Sequence, residues 1–151
     1  MQIRIESPRC AEVSRLLAEH LADMALHSPP ESIHALDVDG LCVPEVTFWA
    51  AWEAADLLGC GALYELSANH AEIKSMRTAQ QHRRKGVAGA LLMHIVNVAH
   101  ERRYSKLSLE TGSMAAFAPA RALYERSGFE YCGPFGNYVD DPNSVFMTMA
   151  L

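Results

Sequence analysis

The spacing of apolar residues changes several times along the chain, and each change predicts a new element of secondary structure. Residues 2–6 (QIRIE) alternate between apolar and polar side chains, which predicts a short first strand. From Ala11 to Leu26 the apolar residues recur at helical spacing, so this segment is expected to be a helix. The Pro29-Pro30 pair ends that helix, and residues 31–36 are expected to form a short second one.

Three β-prone runs follow and predict neighbouring strands of one sheet. Residues 46–53 (VTFWAAWE) and 57–66 (LLGCGALYEL) are joined by a short link that suits a hairpin. Residues 70–78 (HAEIKSMRT) come after a brief turn and predict a further strand. The centre of the sheet is therefore expected in this part of the chain.

The second half of the chain alternates between helical and strand patterns. An apolar stripe of helical period runs from Val87 to Ala99. It is followed by a strand pattern at 105–111 (SKLSLET), a helix pattern at 115–127 ended by Gly128, and two strand patterns at 129–135 (FEYCGPF) and 144–151 (SVFMTMAL). The order βααβββαβαββ predicts a mixed α/β (α+β) domain, a single one over residues 1–151, around one central sheet.

Composition narrows the class of protein. The chain has 151 residues, of which 50% are hydrophobic and 21% charged, as in ordinary globular domains. Its net charge of -5 argues against non-specific nucleic-acid binding as the main activity. No apolar run reaches the roughly 20 residues that span a bilayer, and the N-terminus lacks the apolar core of a signal peptide. A cytoplasmic protein that does not bind membranes is expected.

The four cysteines and seven histidines do not predict a metal site. The cysteines lie far apart with no CxxC pair, so they are expected to be reduced and mostly packed. His20, His27 and His34 follow one another at seven-residue steps, but no HExxH or similar ligand set accompanies them. Surface or helix-capping roles are expected for these histidines.

The start of the predicted helix after Gly86 has an unusual composition. Three cations, residues 83–85, stand where the helix dipole is positive, and Gly89 lies within the first turn. Helix N-termini carry backbone N–H groups without intrahelical partners, and glycine lets an anion approach them closely. A phosphate-binding loop explains both features, because phosphate oxygens would also bind the cations. The alternative is a solvated basic loop with incidental glycines.

Two segments resemble the hallmarks of one enzyme family. Residues 83–88 (RRKGVA) resemble the acyl-CoA signature [RQ]xxGx[GA] of GNAT-type N-acetyltransferases. Residues 120–135 (ARALYERSGFEYCGPF) resemble the second hallmark, a helix ending in LYxxxGF that leads into a strand, and one predicted strand separates the two. The resemblance implies a GNAT-like fold, with a central, mostly antiparallel, twisted sheet of about seven strands, splayed at an acyl-CoA cleft and flanked by about four helices.

The resemblance also implies which residues hold acetyl-CoA, the expected cosubstrate. Arg83 begins the motif, and the backbone amides of the loop would hold the pyrophosphate, at Arg84, Lys85, Gly86, Val87, Ala88 and Gly89. The pantetheine arm would pair with the strand before the loop, nearest Met76 and Thr78. Phe117 stands where family members often carry an asparagine, so it could pack against the arm but could not accept its hydrogen bond.

Three residues are candidates for the chemistry that the resemblance implies. Tyr124 matches the tyrosine that family members often place near the coenzyme A sulfur, where a phenol could protonate the leaving thiolate. Glu72 and Glu110, on the two central strands, could take the proton from the substrate ammonium, directly or through a water. Glu72 is favoured as the base, since glutamate near the start of this strand recurs in the family. The alternatives are a core tyrosine and carboxylates that are solvated or only orient the substrate.

The alternation of side chains in the strand at 70–78 adds a geometric expectation. Glu72, Lys74 and Met76 are expected on one face of the sheet, with Ile73 and Ser75 on the other. By the same rule Glu110 lies on the opposite face of its strand from its two immediate neighbours. Both carboxylates could therefore point into one polar cleft.

Candidates for the acceptor site are less specific. In the implied fold the C-terminal segment faces the acceptor, and it carries Asn137, Tyr138, Asp140 and Asp141, which could bind an amine. An apolar floor could come from Trp49, Trp52 and Phe135, although strand tryptophans are usually core residues and DDPN is an ordinary turn composition.

The function implied is transfer of an acetyl group from acetyl-CoA to a primary amine of a small molecule, by direct attack in a ternary complex. Two alternatives share the fold, a non-catalytic acyl-CoA-binding module and acetylation of a protein amine. A nucleic-acid-binding surface made of QHRRK and HERRYSK is disfavoured by the net negative charge. A homodimer is possible, because apolar strands near the C-terminus could pair between subunits.

Overall fold

A computed structural model describes residues 1–151, and seven strands in it form one sheet. The strands are β1 (Gln2–Ile5), β2 (Val46–Glu53), β3 (Asp56–Ser67), β4 (His70–Thr78), β5 (Lys106–Gly112), β6 (Glu130–Cys132) and β7 (Ser144–Ala150). The helices are α1 (Ala11–His27), α2 (Val38–Leu41), α3 (Val87–Glu101) and α4 (Ala118–Arg126), with short 3-10 turns at Pro30–Ser32, Gln80–His82 and Ala115–Phe117. No helix is long and apolar enough to span a bilayer.

The sheet opens between its two central strands. The strand order is β1-β2-β3-β4-β5-β7-β6, and every neighbouring pair is antiparallel except β4 and β5, which are parallel. Those two strands pair only from His70 to Glu72 against Lys106 to Ser108. Beyond that point they diverge toward their C-terminal ends. The splayed, mostly antiparallel GNAT-like sheet that the sequence predicted is confirmed.

Apolar side chains cover both faces of the sheet. The apolar stripe of α3, including Leu91, Leu92 and Ile95, packs on one face together with Tyr124 of α4. On the other face α1 buries its own short stripe of leucine and valine against β2 and β3. Trp49 and Trp52 are 3% and 7% exposed and belong to these cores, so they form no floor for an acceptor.

A β-bulge in β4 changes the alternation that the sequence predicted. Lys74 pairs with Ala62 and Arg77 pairs with Cys60, so two residues of β4 face one residue of β3. Ser75 takes up the extra length with a φ of 56°, in the left-handed region. Met76 therefore lies not on the face of Glu72 and Lys74 but on the α3 side, where it packs against the same core as Ile73. The prediction for Met76 was wrong for this reason.

Two element boundaries also differ from the prediction. The helix expected at 31–36 is absent, and α2 forms later because the Asp37 side chain accepts a hydrogen bond from the Gly40 N–H (2.8 Å). The strand expected at 129–135 ends at Cys132, shortly before Pro134, which has no N–H to donate.

The cysteines are less packed than predicted. All four are free, but only Cys60 is buried, while Cys42 and Cys132 are exposed on a loop and on the edge strand β6. Those two segments carry little of the core, which is why the expectation of packed thiols was wrong.

Candidate active site

A wide cleft lies at the N-terminus of α3. Its volume is about 700 Å³, and the predicted coenzyme residues Met76, Thr78, Arg83, Arg84, Gly86, Val87, Ala88, Gly89 and Phe117 all line it. Lys85 does not; its Nζ lies 3.3 Å from His82 Nδ1 on the exposed side of the loop. The Val87 side chain is buried in the core, so this residue offers the cleft its backbone.

The loop geometry exposes the helix end. Gly86 directly precedes α3 with a φ of 80°, and Arg84 has a φ of 62°. A Cβ added at Gly86 or at Gly89 would meet no atom within 4 Å. The free N–H groups of the first turn therefore face open space with no side chain in front of them. This is the geometry that a bound phosphate requires.

Gly89 allows a prediction in which stability and binding move in opposite directions. Glycine within a helix costs about 0.5–1 kcal/mol relative to alanine, and a methyl group at this position meets nothing in the protein. Gly89→Ala is therefore expected to raise the free energy of unfolding while weakening acetyl-CoA binding, because the methyl group would occupy space in front of the helix N–H groups. Chemical denaturation and calorimetric titration measure the two effects. Equal or tighter binding would contradict a phosphate site here.

Helix α1 contributes residues to the cleft that sequence reasoning did not assign to it. Asp23 accepts from Arg77 at 2.6 Å and lies 3.7 Å from Arg83, so it connects α1 to β4 and to the loop. The hydrogen bond from Arg77 lowers the pKa of Asp23. His20 also lines the cleft, and burial lowers its pKa to about 4, which keeps the ring neutral at pH 7. The expectation of a surface or capping role for His20 did not include its half-buried place in the wall of the cleft.

A second, smaller cavity lies where β4 and β5 diverge. Its volume is about 120 Å³, and both predicted carboxylates, Glu72 and Glu110, line it together with Lys74 and Tyr138. Six residues belong to the walls of both spaces, namely His20, Met24, Met76, Phe117, Ala120 and Tyr124. The cleft and the cavity therefore adjoin, with Tyr124 at the junction.

Glu72 is held in a closed polar cluster. Its Oε2 accepts a hydrogen bond of 2.5 Å from the Tyr138 hydroxyl and lies 3.2 Å from Lys74 Nζ. Lys74 Nζ also donates to the Tyr138 hydroxyl at 2.7 Å and to the His34 carbonyl at 3.2 Å. The Glu72 and Lys74 side chains are only 4% and 13% exposed. Glu72 is thus engaged by two partners.

Glu110 differs from Glu72 because no cation pairs with it directly. Burial raises the pKa of Glu110 from 4.5 to about 7, against the opposing effects of the neighbouring Ser144 hydroxyl and the Lys74 charge, and the charges of Glu72 and Asp141 add to the increase. A carboxyl that titrates near neutral pH can both accept and release a proton under working conditions. Glu72 is therefore held by an ion pair and a hydrogen bond, whereas Glu110 forms no ion pair and has a raised pKa.

This raised pKa predicts how stability depends on pH. The charged form of Glu110 is disfavoured in the folded protein, so stability falls as pH rises from about 4.5 to about 7 and stays lower above that. Glu110→Gln removes the penalty. The variant is expected to be more stable than the wild type by about 2–3 kcal/mol at pH 8, and the difference should shrink toward pH 4.5. Urea unfolding at both pH values measures the difference in stability between the variant and the wild type. A difference that grows toward acidic pH would contradict the raised pKa of Glu110.

Tyr124 is 7% exposed, and its ring packs edge-on against Phe129 with centroids 5.8 Å apart. Burial and then the Glu110 charge raise the pKa of Tyr124 to about 12, so the phenol keeps its proton at neutral pH. Phe117 lies two turns earlier, against Gly112, where an added Cβ would overlap its ring. Both aromatic residues border the junction of the two spaces.

The C-terminal segment contributes only part of its predicted acceptor residues. Tyr138 reaches the cavity, and Phe135 packs against it at 5.1 Å between ring centroids. Asp141 accepts from Ser32 at 2.5 Å, which fastens the segment to the turn after α1. Asn137 and Asp140 are exposed and line neither space. The roles of Lys74 and His34 were missed, since the hydrogen bonds from Lys74 to His34 and to Tyr138 span 40 and 64 residues of sequence.

Comparison with known proteins identifies relatives over most of the chain. The model of the acetyltransferase (GNAT) family matches residues 13–129. The uncharacterized N-acetyltransferase YsnE of Bacillus subtilis is 58% identical over 151 residues, which cover 100% of both chains. The IAA acetyltransferase of Azospirillum brasilense is 35% identical over 97% of this chain and 95% of its own.

A solved structure extends the similarity to the fold. The GNAT family acetyltransferase of Elizabethkingia anophelis, with acetyl-CoA bound, superposes with a TM-score of 0.70 at 20% identity. The match covers 99% of this chain and 97% of that one. At this identity the likeness concerns the fold.

Proposed function

The chain belongs to the GNAT family of acetyltransferases and is an acyltransferase enzyme, and on this premise we propose that it transfers an acetyl group from acetyl-CoA to a primary amine of a small molecule. The observation that carries the proposal is the junction of two spaces of different chemistry. One is a wide cleft at an open helix N-terminus, and the other is a small cavity with a carboxyl, that of Glu110, which forms no ion pair. Tyr124 and Phe117 border both.

The cleft suits acetyl-CoA, which supplies the acetyl group as a thioester. The N–H groups of the first turn of α3 would bind the pyrophosphate, because no side chain stands in front of Gly86 and Gly89. Arg83 and Arg84, both exposed at the cleft, would add charge-assisted contacts. The pantetheine arm would lie between the diverging strands, along Met76 and Thr78, with Phe117 packed against it.

The proposed mechanism has two proton transfers, one from the acceptor ammonium and one to the leaving thiolate, and a different residue carries out each. Glu110 takes the proton from the acceptor ammonium, since its carboxylate has no paired cation and becomes available above about pH 7. Glu72, which the sequence favoured for this role, instead binds Lys74 and Tyr138. The Tyr124 hydroxyl, which makes no hydrogen bond within the chain, supplies a proton to the thiolate that leaves, and the second proton that the nitrogen loses as the amide forms restores the phenol.

Release of coenzyme A thiol tests the activity. The protein is incubated with acetyl-CoA and a panel of small primary amines, with a lysine-containing peptide as the alternative acceptor. The proposal expects amine-dependent thiol release with at least one small amine and a faster rate than with the peptide. Acceptance of the peptide alone would favour acetylation of a protein amine. Acetyl-CoA binding without release to any acceptor would favour a non-catalytic module.

Tyr124→Phe isolates the proton donor. The substitution removes only the hydroxyl, which has no partner in the protein, so thermal stability and acetyl-CoA affinity are expected to change little. Turnover is expected to fall about 10–100-fold, at or below the lower end of the roughly 10²–10⁴-fold range of a lost general acid. Phe129→Tyr, which alters the packed neighbour without touching the junction, controls for disturbance of the core. Wild-type turnover in Tyr124→Phe would exclude the donor role.

A small acceptor fits the size of the cavity. A space of about 120 Å³, lined by Tyr138 and His34 among others, suits a compact amine better than a folded protein surface. The relative from Azospirillum brasilense is named for acetylation of IAA, which is consistent with small-molecule acceptors in this part of the family. The cytoplasmic location, the homodimer and the single-domain organisation of residues 1–151 stay predictions.

A further inference from the structure

Resting on the proposed function, we infer that the acceptor is a primary amine that carries no carboxylate, rather than an α-amino acid. The observation is that the ammonium group of Lys74, the lysine in the acceptor cavity, is already engaged by two hydrogen bonds and one ion pair within the protein.

The donors of Lys74 can be counted. An ammonium group has three N–H donors and no acceptor. Lys74 Nζ donates to the His34 carbonyl (3.2 Å) and to the Tyr138 hydroxyl (2.7 Å), and its third side faces Glu72 Oε2 in an ion pair at 3.2 Å. Its charge is also balanced by Glu72 at that distance. An acceptor carboxylate entering the cavity would have to displace one of these partners.

Other groups around the cavity do not provide the missing cation. His20 is neutral, since burial lowers its pKa to about 4. Arg77 lies on the side of the coenzyme cleft and is bound to Asp23 at 2.6 Å. The His34 ring stands edge-on to Tyr138, with centroids 5.0 Å apart. No arginine lines the cavity.

The remaining charges repel an anion. Because Glu72 and Lys74 balance each other, Glu110 is the remaining charge in the cavity wall, and Asp141 is close enough to raise the pKa of Glu110 by its charge. The other walls include Met24, Ala35 and the face of Phe117, which suit an apolar body. A second carboxylate would be desolvated beside like charges without a donor, whereas an ammonium followed by an apolar chain would match the site.

Matched acceptors test the inference on the wild-type protein. Two sets of three compounds are compared by thiol release from acetyl-CoA: propylamine, 2-aminobutyrate and 2-aminobutyramide, then 2-phenylethylamine, phenylalanine and phenylalaninamide. Within the set that fits the cavity, the expected kcat/KM for the simple amine exceeds that for the amino acid by about 100-fold or more. The neutral amide, which has nearly the shape of the acid, is expected within about tenfold of the simple amine. Rejection of amide and acid alike would mean that size rather than charge excludes the acid, and would overturn the inference.

Glu72→Gln supplies an independent test. Glutamine keeps the size of the side chain but leaves the Lys74 charge unbalanced, so the cavity gains the cation that a carboxylate needs. The ratio of amine to amino-acid kcat/KM is expected to fall at least tenfold in this variant, and comparing ratios cancels the intrinsic reactivity of each amine. Glu101→Gln, the same charge change at the exposed end of α3, is the control and should leave the ratio unchanged. A ratio that Glu72→Gln does not lower would overturn the inference.

Failure of the inference can be told apart from failure of the proposed function. Acetylation of phenylalanine or 2-aminobutyrate as fast as of the corresponding amine overturns the inference and leaves the small-molecule acetyltransferase intact. Acetylation of the lysine-containing peptide with none of the six compounds accepted overturns both.

Discussion

Glu110→Gln is expected to lower kcat about 10²–10⁴-fold, the range that a lost general base produces. The reason is that Glu110 is the cavity carboxyl without a paired cation, whereas Glu72 is engaged by Lys74 and Tyr138. Wild-type kcat/KM should rise with pH up to a plateau above about pH 7, following deprotonation of Glu110. The variant should lose this rise, so the difference between the two proteins is largest at alkaline pH.

Glu72→Gln is the matched control for this prediction. It makes the same chemical change in the same cavity, and it is expected to lower kcat less than Glu110→Gln does and to keep a rise with pH. Steady-state rates of thiol release between pH 5.5 and 9 measure both profiles, and acetyl-CoA affinity by calorimetry shows that the cleft is intact. A larger loss in Glu72→Gln, with its rise abolished, would return the role of base to Glu72.

Gly86→Val is expected to weaken acetyl-CoA binding by about 100-fold or more, the equivalent of losing one or two charge-assisted hydrogen bonds. The residue before α3 has a φ of 80°, which a β-branched side chain tolerates poorly. Its added side chain would also fill the open space in front of the helix N–H groups. Backbone strain and obstruction by the side chain both act on the phosphate site, and calorimetric titration measures the loss of acetyl-CoA affinity.

Gly128→Val separates strain from obstruction. Gly128 has a φ of 103° after α4, so valine there carries a comparable conformational cost, but the residue lines neither the cleft nor the cavity. Both variants should lose thermal stability, while only Gly86→Val should lose acetyl-CoA affinity. Equal affinities in the two variants would mean that the loop at residues 83–89 does not bind the coenzyme phosphates.

Much of the fold could be predicted because the hydrophobic spacing is regular where the elements are long. The period-3.6 stripe from Val87 to Ala99 and the alternation at 46–53 and 70–78 gave elements with nearly the observed bounds. The two motifs then located the loop before α3 and the helix of Tyr124. These signals are local in sequence, so they can be recognised without knowledge of the tertiary structure.

The parts that could not be predicted depend on contacts between distant residues. The bulge at Ser75 moves Met76 to the other face of the sheet, and no residue type in β4 predicts a bulge there. Asp23 meets Arg77 and Arg83 across the gap between α1 and the loop. The different environments of Glu72 and Glu110 arise because a C-terminal tyrosine reaches β4. The sequence therefore located the candidate carboxylates but could not show that only Glu72 forms an ion pair.

The backbone strain in the structure lies close to the site. Four residues other than glycine have positive φ, and two of them, Ser75 and Arg84, lie in the wall of the cavity and in the loop of the cleft. Such conformations cost about 1–3 kcal/mol each and persist only where the surroundings enforce them. The bulge and the loop are thus places where the fold retains unfavourable backbone geometry beside the proposed chemistry.

Thermal unfolding with and without acetyl-CoA tests most directly whether the cleft at the N-terminus of α3 is built for this coenzyme. ATP and NAD serve as controls that carry phosphates but no pantetheine arm. At 100 times its dissociation constant a ligand should stabilise the folded protein by about 2.7 kcal/mol, which shifts the midpoint by several degrees. The account predicts this shift with acetyl-CoA and little or none with ATP and NAD. No shift with acetyl-CoA, or equal shifts with all three, would contradict it.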